Sequence, residues 1–262
     1  MRKCGFANAG DIFNQQMTAC EQASDTVLHL RRLANNDRVK LIYKTFKFFF
    51  DLHFNTLPEF FYAMNATGYF SHKDCRKHEM GAGHPECPER LDAIEDWLLA
   101  TGVKDALDCR EAIVAPIGDI ELAHDRMMIA GIRGLGVQLV EDIKAGGPSH
   151  AQIDPDTMMN VHTWDAAMRA AGAVLAATDA VMAGEIENAF CAVRPPGHHA
   201  CHDKSMGFCF FNNVAIAARY ALERHGLKRV AVIDFDVHHG NGTEDILKGD
   251  DRVLMVSFFQ HP

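Results

Sequence analysis

This 262-residue sequence predicts an α/β fold, a parallel multi-stranded sheet with helices on both faces. Three observations point to it. Short, fully apolar runs read as buried strands, longer segments with helical apolar spacing lie between them, and residues able to do chemistry directly follow the apolar runs. In sheets of this kind ligand sites form beyond the C-terminal ends of the strands.

Regular patterning starts at Gly68. Residues 89–99 (ERLDAIEDWLL) and 164–182 (WDAAMRAAGAVLAATDAVM) have helical spacing; Pro88 suits the first helical position of one and Gly184 the residue beyond the end of the other. The last third reads as strand 189–193 (AFCAV), helix 213–223 (NVAIAARYALE), strand 229–235 (RVAVIDF) and strand 253–259 (VLMVSFF). Functional residues are therefore expected just after Val193, Phe235 and Ser257. Gly146-Gly147-Pro148 reads as a turn or surface loop.

Residues 1–63 differ in character and are expected to form an N-terminal appendage, with the remaining domain over 64–262. Their aromatic-rich run 43–62 is broken by Lys44, Lys47, Asp51, His53 and Glu59, which excludes a simple bilayer helix. An amphipathic appendage, a partner-binding surface and residues not normally translated all stay open, because Met64 directly precedes a segment that reads as a domain start.

At 48% hydrophobic and 23% charged residues, the chain can bury a real core. A net charge of -9 argues against a nucleic-acid binder held by phosphate contacts. The eight cysteines lack paired CxxC spacing and are expected as reduced thiols. With no apolar run of about 18 residues and no secretory h-region, the expected compartment is the cytoplasm.

The strongest chemical signal is DFDVHHGNG at 234–242, directly after an apolar strand. Alternate residues of an extended segment point the same way, so Asp234, Asp236 and His238 can converge. Carboxylate and imidazole donors suit a catalytic zinc, although an isolated DxDxH fits a solvated strand end at least as well. The second signal is RPPGHH at 194–199, whose adjacent His198 and His199 suit either a solvated pair or a base and acid working together. The third, GFCFFNN at 207–213, suits a core-packing turn or the wall of a slot for an aliphatic chain.

Together with HPECPERL at 84–91, these segments resemble the histone deacetylase superfamily in order and spacing over 68–262. Asn241-Gly242-Thr243 makes the chain look more like the class II enzymes and their bacterial relatives, the histone deacetylase-like amidohydrolases and acetylpolyamine amidohydrolases. The resemblance implies an arginase/deacetylase-like fold, incomplete at the C-terminus. It also implies zinc-dependent hydrolysis of an N-acetylated amine, either acetyl-lysine in proteins or an acetylated polyamine, with release of acetate. One Zn2+ per complete domain and a structural K+ come with it.

By position, Asp236 and His238 match two zinc ligands of the family, and His198 and His199 its tandem catalytic histidines. Asp234 would orient His198, and Asn241 stands where class I enzymes have an aspartate behind the second histidine. Gly207 and Phe208 match substrate-tunnel residues, and Arg90 an arginine of the inner acetate cavity. The potassium positions correspond to Asp234, Asp236, His238, Ser257 and Phe258. The family's third zinc ligand and its transition-state tyrosine have no counterpart up to Pro262, so the chain as written is expected to be nearly inactive. Two other classes are weighed: an arginase-like hydrolase with two manganese ions, disfavoured by DxDxH in place of DxHxD, and a non-catalytic interaction protein. No role is assigned to His84, Cys201 or His202.

Overall fold

The computed structural model describes residues 67–260, so the expected appendage over 1–63 lies outside the described residues. Strand β1 (Thr67–Ser71) runs parallel to β2 (Leu107–Glu111) on one side and to β5 (Asn188–Cys191) on the other, giving the order β2-β1-β5. β6 (Val230–Asp234) pairs in parallel with β7 (Val253–Ser257), in a register that sets Asp234 opposite Ser257. An antiparallel hairpin, β3 (Ala151–Asp154) and β4 (Thr157–Met159), stands apart from both. The expected parallel α/β architecture is present.

The helices follow from local sequence signals. α1 (Glu89–Ala100) starts after Pro88, whose dihedrals are already helical, and buries Leu91. α2 (Ile117–Ile120) is a single turn. α3 (Arg126–Lys144) opens on Asp125, whose carboxylate accepts from the backbone N–H groups of Met127 and Met128. This 19-residue helix was not foreseen, because Gly131, Gly134 and Gly136 lower its intrinsic propensity. Burial of Ile129, Ile132 and Leu139 outweighs that cost.

α4 (Thr163–Met182) is the expected central helix and ends at Ala183, with Gly184 beyond it as the sequence suggests. Its buried face is mostly alanine, which lets it lie close to the sheet. α5 (Asn213–Glu223) is capped by Asn212, whose side chain accepts from Ala215 N–H at 3.0 Å. α6 (Asn241–Leu247) closes the DFDVHHGNG segment. The main core gathers Met159, Leu175, Ile216 and Ile246 from β4, α4, α5 and α6, together with Phe210 and Phe211 from the loop before α5. Phe210 and Phe211 thus anchor the chain just after Gly207-Phe208.

The six described cysteines are free. Burial pushes the Cys191 and Cys209 thiols up to about 12, so neither is a ready nucleophile. Among the described residues no helix is long and apolar enough to cross a membrane.

Candidate active site

Three loops, each leaving the C-terminal end of a parallel strand, build the site. The first leaves β5 and carries Arg194, the cis Arg194-Pro195 bond, and then His198 and His199. It is pinned at its root. The Arg194 side chain is fully buried and donates to both Glu86 carboxylate oxygens at 2.6 and 2.5 Å, to Cys75 O at 2.9 Å and to His78 O at 2.7 Å. Further along, His124 donates through Nδ1 to Cys201 O and accepts from Asn212 N–H through Nε2, at 2.9 and 2.8 Å. His202 Nδ1 donates to Ala123 O at 2.8 Å.

The second loop follows β6 and brings Asp234, Asp236 and His238 to the same rim. His198 Nδ1–H donates to Asp234 Oδ2 at 2.9 Å, and His199 Nδ1–H to Asn241 Oδ1 at 2.6 Å. Each imidazole therefore has its second nitrogen, Nε2, left for the site. The two rings lie 4.0 Å apart between centroids, and the His238 ring is 5.9 Å from that of His199. Burial lowers the His199 pKa from the usual histidine value, and the bond to Asn241 only partly offsets this, which favours the neutral imidazole.

Asp236 Oδ1 lies 2.9 Å from His238 Nδ1 and 4.0 Å from His198 Nε2. Burial opposes its ionisation, but the His238 backbone N–H and imidazole outweigh burial and hold its pKa below the ordinary carboxylate range. A carboxylate oxygen beside an imidazole nitrogen is a donor pair that zinc accepts. Among the described residues, no group of three His, Cys, Asp or Glu side chains stands close enough to hold a metal. Asp236 and His238 therefore offer two neighbouring donors, joined by no third such side chain among the described residues.

The third loop follows β7. Phe258 N–H donates to Asp234 O at 2.8 Å, and Ser257 Oγ is buried with no hydrogen-bond partner. An unpartnered buried hydroxyl oxygen on the residue paired with Asp234 across the strands suits a hard cation, which takes oxygen ligands. Asp234 has one oxygen on His198 and the other on Asp236 N–H at 3.1 Å.

The wall beside the histidines comes from Gly207 and Phe208. Gly207 has φ +56°, and a Cβ there would sit 2.7 Å from the His199 ring, so only glycine lets the imidazole lie against this backbone. Gly240 makes a similar close approach, where a Cβ would overlap the Asp234 carboxylate. Phe208 is a non-glycine residue at φ +68°. The β3-β4 hairpin holds it there: Thr157 Oγ1 accepts from Phe208 N–H at 2.9 Å, and Asp154 Oδ2 from Gly207 N–H at 3.2 Å.

Several contributors escape the sequence reading. His84 meets Phe208 edge-to-face at 4.6 Å between centroids, accepts from Glu86 N–H, and donates through Nε2 to Asp156 O at 3.1 Å. Cys201 and Met206 contact the Asn241 amide nitrogen. Neither the hairpin residues nor these sulfurs carry a motif; HPECPERL did flag the segment holding His84 and Glu86. Arg90 lies behind the histidine loop, donating to Val193 O at 2.7 Å with its Nε 3.8 Å from Glu86 Oε1.

The family model described as the histone deacetylase domain matches residues 84–262. A histone deacetylase-like amidohydrolase of Pseudomonas aeruginosa is 41% identical over 179 residues, which cover 68% of this chain and 44% of that protein. A probable deacetylase of Archaeoglobus fulgidus is 37% identical, covering 75% of this chain and 52% of that protein. The polyamine deacetylase HDAC10 of Rattus norvegicus is 37% identical over 67% of this chain and 29% of that protein. Among solved structures, the crystal structure of the HDA15 HD domain superposes with a TM-score of 0.69 at 32% identity, covering 76% of this chain and 54% of that one. The chain spans about half the length of the first two relatives.

Proposed function

The chain belongs to the histone deacetylase domain family, and from that membership we propose that the complete protein hydrolyses an N-acetylated amine and releases acetate. The observation that carries the proposal is the meeting of two partnered imidazoles, His198 on Asp234 and His199 on Asn241, with the Asp236–His238 donor pair at one rim of the parallel strands. The related proteins named for polyamine deacetylation and for amidohydrolysis support both an acetylated polyamine and an acetylated lysine side chain as substrate.

A zinc ion held by Asp236 and His238, with a third ligand from the rest of the protein, would polarise the amide carbonyl and acidify a water. The chain's own residues do the proton work. Asp234 and Asn241 fix which nitrogen of each histidine is protonated, so that both Nε2 atoms face the reacting atoms. The His198/His199 pair takes the water's proton and returns it to the leaving amine. Gly207 and Phe208 line a narrow path for an unbranched acyl-amine chain, and Arg90 borders the acetate side. Ser257, Phe258 and the Asp234, Asp236 and His238 segment would hold a potassium ion that stiffens the rim. The free thiols fit a reducing compartment, the cytoplasm.

Acetate release from an acetyl-lysine peptide and from N-acetylspermidine by the complete zinc-loaded protein tests this. The expected result is turnover of at least one substrate, one zinc per domain, and a loss of about 100-fold or more in His199→Ala. Two manganese ions per domain with no acetate released, or a protein that retains the acetylated peptide without turnover, overturns it.

A further inference from the structure

Among the described residues, the Asn241 side chain has three polar neighbours, which differ in what each allows its amide to do. Its Oδ1 accepts from His199 Nδ1–H at 2.6 Å, while its Nδ2 lies 3.6 Å from Cys201 Sγ and 3.7 Å from Met206 Sδ. These sulfurs differ in chemistry. The Cys201 thiol can donate or accept, and it also reaches His199 O at 3.7 Å. The Met206 thioether has no proton and can only accept.

We propose that Met206 is a positioning residue that fixes the Asn241 amide, and through it the tautomer of His199. With the NH2 group on Met206, Oδ1 must face His199, which then carries its proton on Nδ1 and presents a bare Nε2. If the amide turned over, its oxygen would meet the thioether, a contact with no hydrogen between two acceptors. Its NH2 would meet His199 Nδ1, driving the proton to Nε2. A histidine in that form cannot take a proton through Nε2. An aspartate in place of Asn241 would need no such guard, because both of its oxygens accept.

Among the described residues, the Asn241 side chain has no hydrogen-bond partner besides His199, Cys201 and Met206. Cys201 tolerates either orientation, since its thiol can donate or accept, and the rings of His198 and His238 pack on the His199 ring. The Met206 backbone is anchored, its N–H and C=O paired with Cys209 at 3.1 and 3.0 Å. The catalytic meaning rests on the proposed role of His199 as a base, whereas the tautomer is read without turnover.

The test is a long-range proton–nitrogen correlation spectrum of the 262-residue chain labelled with 15N-histidine, recorded near pH about 8, where imidazoles are neutral. His199 is expected as a single form protonated at Nδ1. In Met206→Leu, a volume-conserving change, and in Met206→Gln, which can present either end of its own amide, a second form protonated at Nε2 is expected. Cys201→Ser, which keeps a group that donates or accepts, should retain the single form. A wild-type His199 protonated at Nε2, or a single Nδ1 form in whichever Met206 variant folds, overturns the proposal and leaves the deacetylase reading untouched. Loss of acetate release with the tautomers as expected counts against the deacetylase reading alone.

Discussion

Arg194 and Glu86, 108 residues apart in the chain, face each other fork to fork at 2.6 and 2.5 Å in the protein interior. The guanidinium is fully buried and spends its remaining hydrogens on backbone carbonyls, so the loop bearing His198 and His199 starts from a fixed point. The same carboxylate lies 3.7 Å from His78 Nε2 and 3.8 Å from Arg90 Nε.

Glu86→Gln leaves the Arg194 cation buried with no counter-charge. The expected cost is about 3–5 kcal/mol in unfolding free energy by urea titration. The double variant Glu86→Gln with Arg194→Met should recover most of it, since no unpaired charge remains. A single-variant cost below about 1 kcal/mol would show that the pair is not what holds the loop.

Gly207→Ala tests the fit of His199 against the backbone. The added methyl meets the ring at 2.7 Å, and alanine is strained at φ +56°. Turnover by the complete protein should fall at least about tenfold while the melting temperature drops only a few degrees, the local strain costing about 1 kcal/mol. Unchanged kcat in this variant would mean that His199 has room to move aside.

Thr157→Val keeps the shape of a fully buried side chain and removes the oxygen that accepts from Phe208 N–H. An unmade buried bond costs about 1–3 kcal/mol, and Phe208 loses its hold at positive φ. The expected outcome is a higher KM with a smaller change in kcat, measured on an acetylated substrate. Equal losses in both would place Phe208 with the groups acting only in the transition state.

Two histidines outside the site set an acid limit on stability. Burial lowers the pKa of His78 to about 3 and of His124 to about 4, so both are neutral in the fold. In the unfolded chain they titrate near about 6.5, so below that pH the unfolded state binds more protons. Stability is then full above about 6.5 and is lost as pH falls towards the folded values, by about 2 kcal/mol for each histidine at pH about 5. Urea midpoints at pH about 7 and about 5 measure this, and His124→Gln should flatten the slope. An unaltered slope in that variant contradicts the assignment.

Much of the fold was legible because buried parallel strands and amphipathic helices leave their period in the chain. AFCAV, RVAVIDF and VLMVSFF gave β5, β6 and β7 to within a residue or two, and the paired motifs behind them marked the rim where His198, His199, Asp236 and His238 meet. α3 was missed because its three glycines hide a helix that burial alone stabilises. β1 and β2 were missed because short strands without a flanking motif look like any brief apolar run.

By itself, then, the sequence determined where the His, Asp and Gly motifs lie and which strand end each would follow, since both depend on residue type and near-neighbour spacing. Tertiary structure alone decided what holds them: Glu86 under Arg194, Thr157 behind Phe208, His84 edge-on to Phe208, and Met206 against Asn241. All of these contacts, the 35-residue span from Met206 to Asn241 included, join segments with no periodic relation. Their cause is the packing together of separate loops at the C-terminal ends of the parallel strands, which no local pattern records.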